Sequence, residues 1–337
     1  MNNQYTHIIL EKDFHSIIVK EYQGHYSVLK QESIHWLNPV DAGIWVDGTL
    51  GEAGHAAAAL SAYPHIHLIG LDADTSMLQR AETNLSLYAG RYQLKNQFFD
   101  DYFHDPKTKQ RPSIAILLDL GISMFHYKCA QRGFSYDDEN ALDMRLNPHD
   151  TQSISAQQLL ATTSESDLAQ LFWIYAEERH SRKIAKMIVT QRKKEPITSA
   201  KMLSDSIKAI IPQQKGHYLH PAAKVFQALR IAVNKELDRL ERVLPASFDN
   251  LVVGGKLGII TFHSLEDRIV KHYFKTLAKP CQCPSSQLVC TCGGAIAKIL
   301  TPKGILASEE EISQNPASRS ARLRVIQKLS PNRGVKA

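Results

Sequence analysis

Between residues 44 and 120, short apolar, β-branched runs alternate with segments of helical spacing, which predicts parallel α/β units. Residues 44–46 read as a strand that runs into a glycine-rich turn and then a helix through 56–60. Residues 67–71 read as a second strand, followed by a helix around 77–87, and a third strand ends near 96–99. The run 114–118 is apolar enough to lie in the middle of a sheet, buried on both faces.

From about 120 to 220 the strand signals fade. Segments 153–160, 166–175 and 181–191 have helical spacing, with Leu168, Leu171, Phe172 and Tyr175 on one face and Ser153 and Ser166 as expected N-caps. Val225, Leu229, Val233, Leu237, Leu240 and Leu244 then recur at three- and four-residue steps, which predicts one long amphipathic helix. Gly254-Gly255 turns the chain into a further buried-type strand at 256–262. The expected fold class is therefore α/β: one doubly wound domain with a helical module inserted in the loop after a central strand, where substrate-facing loops grow.

Composition narrows the class without fixing it. The 337 residues are 43% hydrophobic and 22% charged, as in ordinary globular proteins. No run approaches the length of a membrane span. Glu11 and Asp13 interrupt the apolar N-terminal stretch, so no signal peptide is expected and the chain reads as cytoplasmic. Lys and Arg exceed Asp and Glu by 40 to 34, a net charge of +6 that permits a nucleic-acid partner. Oligomeric state is not set by the pattern, and a homodimer stays open.

The first α/β turn reads Asp47-Gly48-Thr49-Leu50-Gly51-Glu52-Ala53-Gly54-His55, with glycines at three-residue intervals that let backbone approach a ligand. The second strand ends in Asp72, where a carboxylate can accept both hydroxyls of an adenosine ribose. That pairing serves NAD and S-adenosylmethionine alike. Asp47, a second acid at a strand end, favours S-adenosylmethionine, whose amino group and sulfonium are cationic and which has no pyrophosphate. Asp119, at the end of the 114–118 strand, lies where a methyl acceptor would arrive, and Phe98 is a candidate adenine-packing ring.

Two further features invite chemistry. Cys281, Cys283, Cys290 and Cys292 place four thiols in twelve residues, enough for a structural zinc site, although C-x-C spacing is tighter than the usual C-x2-C. Residues 315–337 carry six basic side chains, Arg319 and Arg322 among them, and no acid, and a second basic run spans 179–194. Such runs flanking a cleft suit phosphate contacts.

DGTLGEAGH (47–55), LLDLGIS (117–123), RGFSY…LDMR (132–145), HPAAKVFQALRIAVNKEL (220–237), ITFHSLEDRIVK (260–271) and NPASRSARLR (315–324), in that order, resemble the bacterial RsmH (MraW) family of 16S rRNA cytosine-N4 methyltransferases. The resemblance covers nearly the whole chain. It implies a class I, Rossmann-like methyltransferase fold in two parts (25–125 and 220–337), with a helical substrate domain inserted at 126–219, an N-terminal extension at 1–24, and the cysteine-rich loop 281–292. It also implies S-adenosylmethionine as methyl donor and a decoding-region cytidine of 16S rRNA in the small ribosomal subunit as acceptor. Cofactor positions carry over as Ala53, Gly54, His55, Asp72, Phe98 and Asp119, joined by Asp47 and Gly51 from the reading above. His126 stands where the family usually has Gln, because the family segment DLG-[VI]-SSPQLD is here Asp119-Leu120-Gly121-Ile122-Ser123-Met124-Phe125-His126-Tyr127-Lys128.

Cytosine N4 is a weak nucleophile, its lone pair delocalised into the ring, so acceptors that align the amine are the chemistry to seek. Asp119 and Ser123 are the catalytic candidates. Arg145, His220, Arg230, His263, Arg268, Arg319 and Arg322 are the RNA-binding candidates. Ser264 is the expected N-cap of the 264–271 helix, which leaves His263 and Arg268 open to RNA contact or local ion pairing. The altered 124–128 segment also admits a ribosome-binding assembly factor without catalysis, and the fold alone admits a methyltransferase of another nucleic acid.

Overall fold

The computed structural model describes residues 26–128, 130–139, 141–211, 220–281, 283 and 294–329. Strands β1 (Gly43–Asp47), β2 (Ile66–Asp72), β3 (Tyr92–Asn96), β4 (Ser113–Asp119), β5 (Leu251–Thr261), β6 (Ala297–Ile299), β7 (Ile305–Leu306) and β8 (Arg322–Lys328) form one sheet. The order is β3-β2-β1-β4-β5-β8-β6, with β7 also beside β8. The first five strands pair in parallel, and β8 pairs antiparallel with β5, β6 and β7. This is the expected doubly wound, Rossmann-like sheet. Strand order reverses between β1 and β4, and the C-terminal ends of those two strands therefore flank the crevice where such sheets take ligands.

The sequence of β4 explains its central place. Ala115 and Leu117 enter the apolar layer on one face of the sheet and Ile116 and Leu118 the layer on the other, all fully buried. Trp45 and Val46 divide in the same way in β1. Strands covered on both faces have no use for alternation, which is why these runs read as continuously apolar.

Helices Ala156–Thr162, Glu165–Ala176, Ser181–Arg192, Ala200–Ile210 and Ala223–Asn234 enclose a separate core that includes Leu168, Phe172, Ile184, Ile188, Leu203 and Leu229. Three expectations change here. The N-caps are Ser155 and Ser164, in place of Ser153 and Ser166. Residues 155–158 spell S-x-x-Q, and Ser155 and Gln158 close a reciprocal capping box. The expected single helix through 225–244 is two, Ala223–Asn234 and Glu236–Asn250, broken at Lys235 with φ 52°. The break lets the first piece pack in the helical core and the second against the sheet, with Leu240, Val243 and Leu244 in the sheet layer. The helical core thus runs on to Val233, past the 219 boundary expected for the insertion.

Phe172 is fully buried at the centre of this helical core. Phe172→Ala is expected to cost about 3–5 kcal/mol, read as a lowered urea midpoint. An unchanged midpoint would show that the helical unit contributes little to global stability.

Candidate active site

Three aspartates end three neighbouring parallel strands. Asp47 closes β1, Asp72 closes β2 and Asp119 closes β4. Asp72 is fixed by backbone: the Gly51 N–H donates to its Oδ2 (2.9 Å) and the Asp74 N–H to its Oδ1 (2.8 Å). Gly51 has φ +52°, a left-handed turn that aims its N–H at this carboxylate. Gly48 serves close approach, since a Cβ there would lie 2.4 Å from Leu118 and 3.2 Å from Phe99. The Thr49 hydroxyl accepts the Asp119 N–H at 2.6 Å, tying the loop to the end of β4.

These residues open on a cavity of about 450 Å³. Gly51, Gly54, His55, Asp72, Phe98, Asp119, Ser123 and His126 line it, so eight of the expected cofactor and catalytic residues converge. Asp47 and Ala53 do not line it. Asp47 is buried behind the turn and accepts the Thr49 N–H at 3.2 Å, because β1 ends before the loop rises to the cavity. Ala53 takes a left-handed conformation (φ 66°) as the residue that starts helix Gly54–Ala62, so its contribution is to the shape of the turn.

Burial dominates the electrostatics. It pushes the Asp47 carboxyl up to about 7, with the Thr49 N–H opposing and the Asp72 charge adding. Burial also raises Asp72, against the Asp74 and Gly51 N–H groups. Asp119 is held well above the usual carboxylate range by burial and then by the charges of Asp47 and Glu266. Its Oδ1 is buried with no hydrogen-bond partner among the described residues, and its Oδ2 lies 3.8 Å from His55 Nδ1. His55 Nε2 sits 2.9 Å from the Val28 carbonyl, which can only accept, so Nε2 carries the proton. Two partly neutralised carboxyls in the cavity wall, Asp72 and Asp119, with Asp47 buried behind the turn, suit a ligand that brings positive charge.

His126 is buried in helix Met124–Lys128, with Nε2 3.0 Å from Asp74 Oδ2. Arg132 donates to the same oxygen, and the Ser76 N–H and hydroxyl donate to Oδ1 at 2.9 and 2.7 Å. Burial works against the Asp74 charge, but the donors from His126, Arg132 and Ser76 outweigh it and hold this carboxyl well below its ordinary range. The helix in which this chain departs from the family pattern is thus pinned to the cofactor side of the sheet. Ser123 Oγ accepts the Phe125 N–H at 3.2 Å. Arg239 lies over Phe98, 3.5 Å from the ring centroid, and is anchored on Asp100 at 2.6 Å, so one face of that ring is already covered.

A second cavity of about 380 Å³ opens between the helical unit and the sheet. It shares Ile122, Tyr127, Arg230 and Phe262 with the first, and Phe134, Tyr136, Phe226, Gln227 and His263 complete its aromatic and polar wall. Arg230 grips Glu236 with two hydrogen bonds, 2.8 and 3.0 Å, across the helix break. His220 stacks on Tyr136 with centroids 4.4 Å apart. His263, rather than Ser264, is the N-cap of helix Ser264–Leu277, and it forms a capping box with Glu266, whose carboxylate is the one three residues along. Arg145 is engaged with Asp143 at 2.6 and 3.0 Å, and Arg322 donates to the Lys303 carbonyl. Arg268 is exposed and pairs with Glu177, and Arg319 is exposed between Ala317 and Ser320 of the first cavity's wall without lining it.

Glu236, His263 and Glu266 bring three donor atoms within 4.8 Å of one another. Glu236 is taken by Arg230, and Glu266 accepts the Phe262 and His263 N–H groups at 2.8 and 3.3 Å, so this is a charge network. Cys281 is exposed and Cys283 half-buried, while Cys290 and Cys292, the other two expected zinc ligands, lie outside the described residues.

The model of the MraW methylase family matches residues 22–329. The chain belongs to the MraW methylase family. It is 50% identical over 308 residues to the ribosomal RNA small subunit methyltransferase H of Treponema denticola, covering 90% of this chain and 97% of that protein. The enzyme of the same name from Heliobacterium mobile is 44% identical over 90% of this chain and 99% of its own. Among solved structures, an rRNA methylase from Streptococcus thermophilus aligns over 89% of this chain and 94% of its own, with 10% identity and a TM-score of 0.37. Asp74, Arg132, Glu236 and Arg239 shape this MraW site without standing out in the sequence. Only the spacing Asp72-x-Asp74 before a helix, an N-cap pattern, signals the first of them.

A cationic ligand binds ionised carboxylates and excludes protonated ones. Affinity for S-adenosylmethionine is therefore expected to rise roughly tenfold between about pH 6 and pH 8 as Asp47 loses its proton near 7. Asp47→Asn should remove the part of the rise centred near pH 7. Titration calorimetry across the range reads it, and an affinity independent of pH would refute the electrostatic role.

Proposed function

We propose that this MraW-family methylase transfers a methyl group from S-adenosylmethionine to the exocyclic N4 of a cytidine in the decoding region of 16S rRNA, by direct in-line displacement. The observation that carries the reading is Asp119, which lines the first cavity with its Oδ1 buried and unpartnered among the described residues, three residues before Ile122, which lines both cavities. S-adenosylmethionine, when bound, supplies a methyl group on a positively charged sulfur. Asp72 suits its ribose hydroxyls, the 48–55 turn lets backbone reach it, and Phe98 and His126 wall the cavity in which it fits.

The second cavity suits the acceptor base. Its aromatic wall of Tyr127, Phe134, Tyr136, Phe226 and Phe262 can hold a ring drawn out of its stack, and Gln227 supplies an amide for the base edge. From there an N4–H reaches toward Asp119. A carboxylate accepting that hydrogen bond turns the nitrogen lone pair toward the methyl group and favours the tetrahedral nitrogen that develops. Ser123 and the carbonyls of the 119–123 turn offer further acceptors. N4 becomes acidic as the new bond forms, so its proton leaves to Asp119 or to water without a strong base. The names carried by relatives that share up to 50% identity support the rRNA substrate, and a helical unit beside the cavity suits recognition of a folded ribosomal particle.

Small subunits lacking the modification, incubated with labelled S-adenosylmethionine, are expected to yield N4-methylcytidine on nucleoside mass spectrometry. Asp119→Ala should lower the rate about 100- to 1000-fold with subunit binding intact. Methylation at another atom, or none by the unaltered protein, would overturn the assignment.

A further inference from the structure

Trp173 is 57% exposed on helix Glu165–Ala176, beside Ile174 at 48%. Neither belongs to the helical core, which takes Leu168, Phe172 and Ala176 from the same helix. Trp173 is one turn before Glu177, whose N–H closes the helix on the Trp173 carbonyl at 2.9 Å. Glu177 lines the mouth of the second cavity. It is also the helix C-cap in a left-handed conformation (φ 48°), a place where glycine is the common choice. Its carboxylate faces Arg268, 3.3 Å away on the sheet side of the mouth, and its carbonyl accepts from Lys224 at 3.1 Å. Both members of the ion pair are well exposed, Arg268 at 66% and Glu177 at 60%, so the pair contributes little to stability and is easily exchanged.

An exposed indole one helical turn from a cavity residue that engages two cations has the make-up of a single-strand RNA contact. Stacking on an aromatic ring tolerates any base, and phosphates follow Lys and Arg. A target base held inside the second cavity leaves its neighbour in the chain outside it, and Trp173 lies one helical turn from Glu177 of that cavity's lining. Resting on the reading of the second cavity as the acceptor site, we propose that Trp173 stacks the nucleotide adjoining the target cytidine, while Arg268 leaves Glu177 for the phosphate between the two. Glu177 acts in the empty protein as a stand-in for that phosphate and holds Arg268 in place. Trp173 and Arg268 are positioning residues on this account, since neither reaches the reacting atoms.

Two measurements test it. In the first, a ten-nucleotide single-stranded RNA of decoding-region sequence is titrated into the full protein at low salt, with Trp fluorescence as readout. Saturable quenching is expected that is lost in Trp173→Phe, because of the other two tryptophans Trp45 is buried and Trp36 is half-buried against the sheet core, away from the helical unit. In the second, methyl transfer to unmodified small subunits is expected to show KM for subunits raised roughly tenfold in Trp173→Ala, restored near the original value in Trp173→Phe, with kcat and the KM for S-adenosylmethionine unchanged. Arg268→Ala should raise the subunit KM severalfold and reduce its salt dependence. Equal quenching in Trp173→Phe, or a Trp173→Ala variant with unaltered KM, overturns the stack. A raised KM with no quenching by RNA alone also overturns it, and assigns the face to ribosomal protein. If the unaltered protein transfers no methyl group, the proposed function fails, while the quenching experiment still decides the role of Trp173.

Discussion

A carboxylate taken out of water without a full set of partners loses several kcal/mol of solvation. Here Asp47, Asp72 and Asp119 are brought to adjoining strand ends of one parallel sheet. The sheet tolerates this because its central strands are apolar on both faces and closely packed, so the strand ends cannot splay to admit water. Backbone N–H groups recover part of the loss at Asp72 and Asp47, and proton uptake recovers more. Asp119 recovers least, with one oxygen unpartnered among the described residues. The empty site is therefore charged below its capacity and is stabilised by a ligand that carries positive charge. The preference for such a ligand follows from where the strands end, before any particular contact is considered.

The second constraint is the break at Lys235. A continuous helix from 223 to 250 would bind the helical unit and the sheet to one axis. The left-handed residue splits it, so that each half packs in its own core, and Arg230 reaches over the break to Glu236. That pair sits between the two cavities. A partly buried ion pair is weak evidence of net stability, yet removal of one partner leaves the other charge poorly solvated. Its geometry therefore fixes how the helical unit faces the strand ends, which is the relation a two-substrate site requires.

Much of this was legible in the residues. Continuous apolar runs gave the central strands, glycine spacing gave the turn, and acids after strands gave Asp72 and Asp119. What escaped was set by residues distant in the chain. The 225–244 pattern keeps its period through Lys235, and periodicity carries no mark of a single left-handed residue. Asp47 looks like a ligand by position and proves to lie behind the turn, because one residue of strand length decides which side of the loop a carboxylate meets. His263 replaces Ser264 as N-cap since Glu266 stands three residues after the former, a pairing the sequence contains but histidine rarely advertises. The basic candidates Arg145 and Arg230 turned out to be held within the chain by nearby acids, which charge runs alone do not reveal.

The His126 segment shows why a changed motif need not mean a changed site. A glutamine and a histidine each present an N–H at similar reach, and what the position must satisfy here is Asp74, the N-cap of helix Thr75–Asn84. Asp74 is already met by Ser76 and Arg132, so His126 joins an anion with partners in place and is not asked to carry the charge alone. The substitution keeps a donor where a buried carboxylate needs one, and the altered residues meet the 119–123 turn through the backbone N–H groups of Phe125 and His126 on Ser123, bonds that do not depend on their side chains. Asp119 is itself tied by its N–H to Thr49 and needs no altered side chain to hold it, which favours retained chemistry over a fold kept for binding alone.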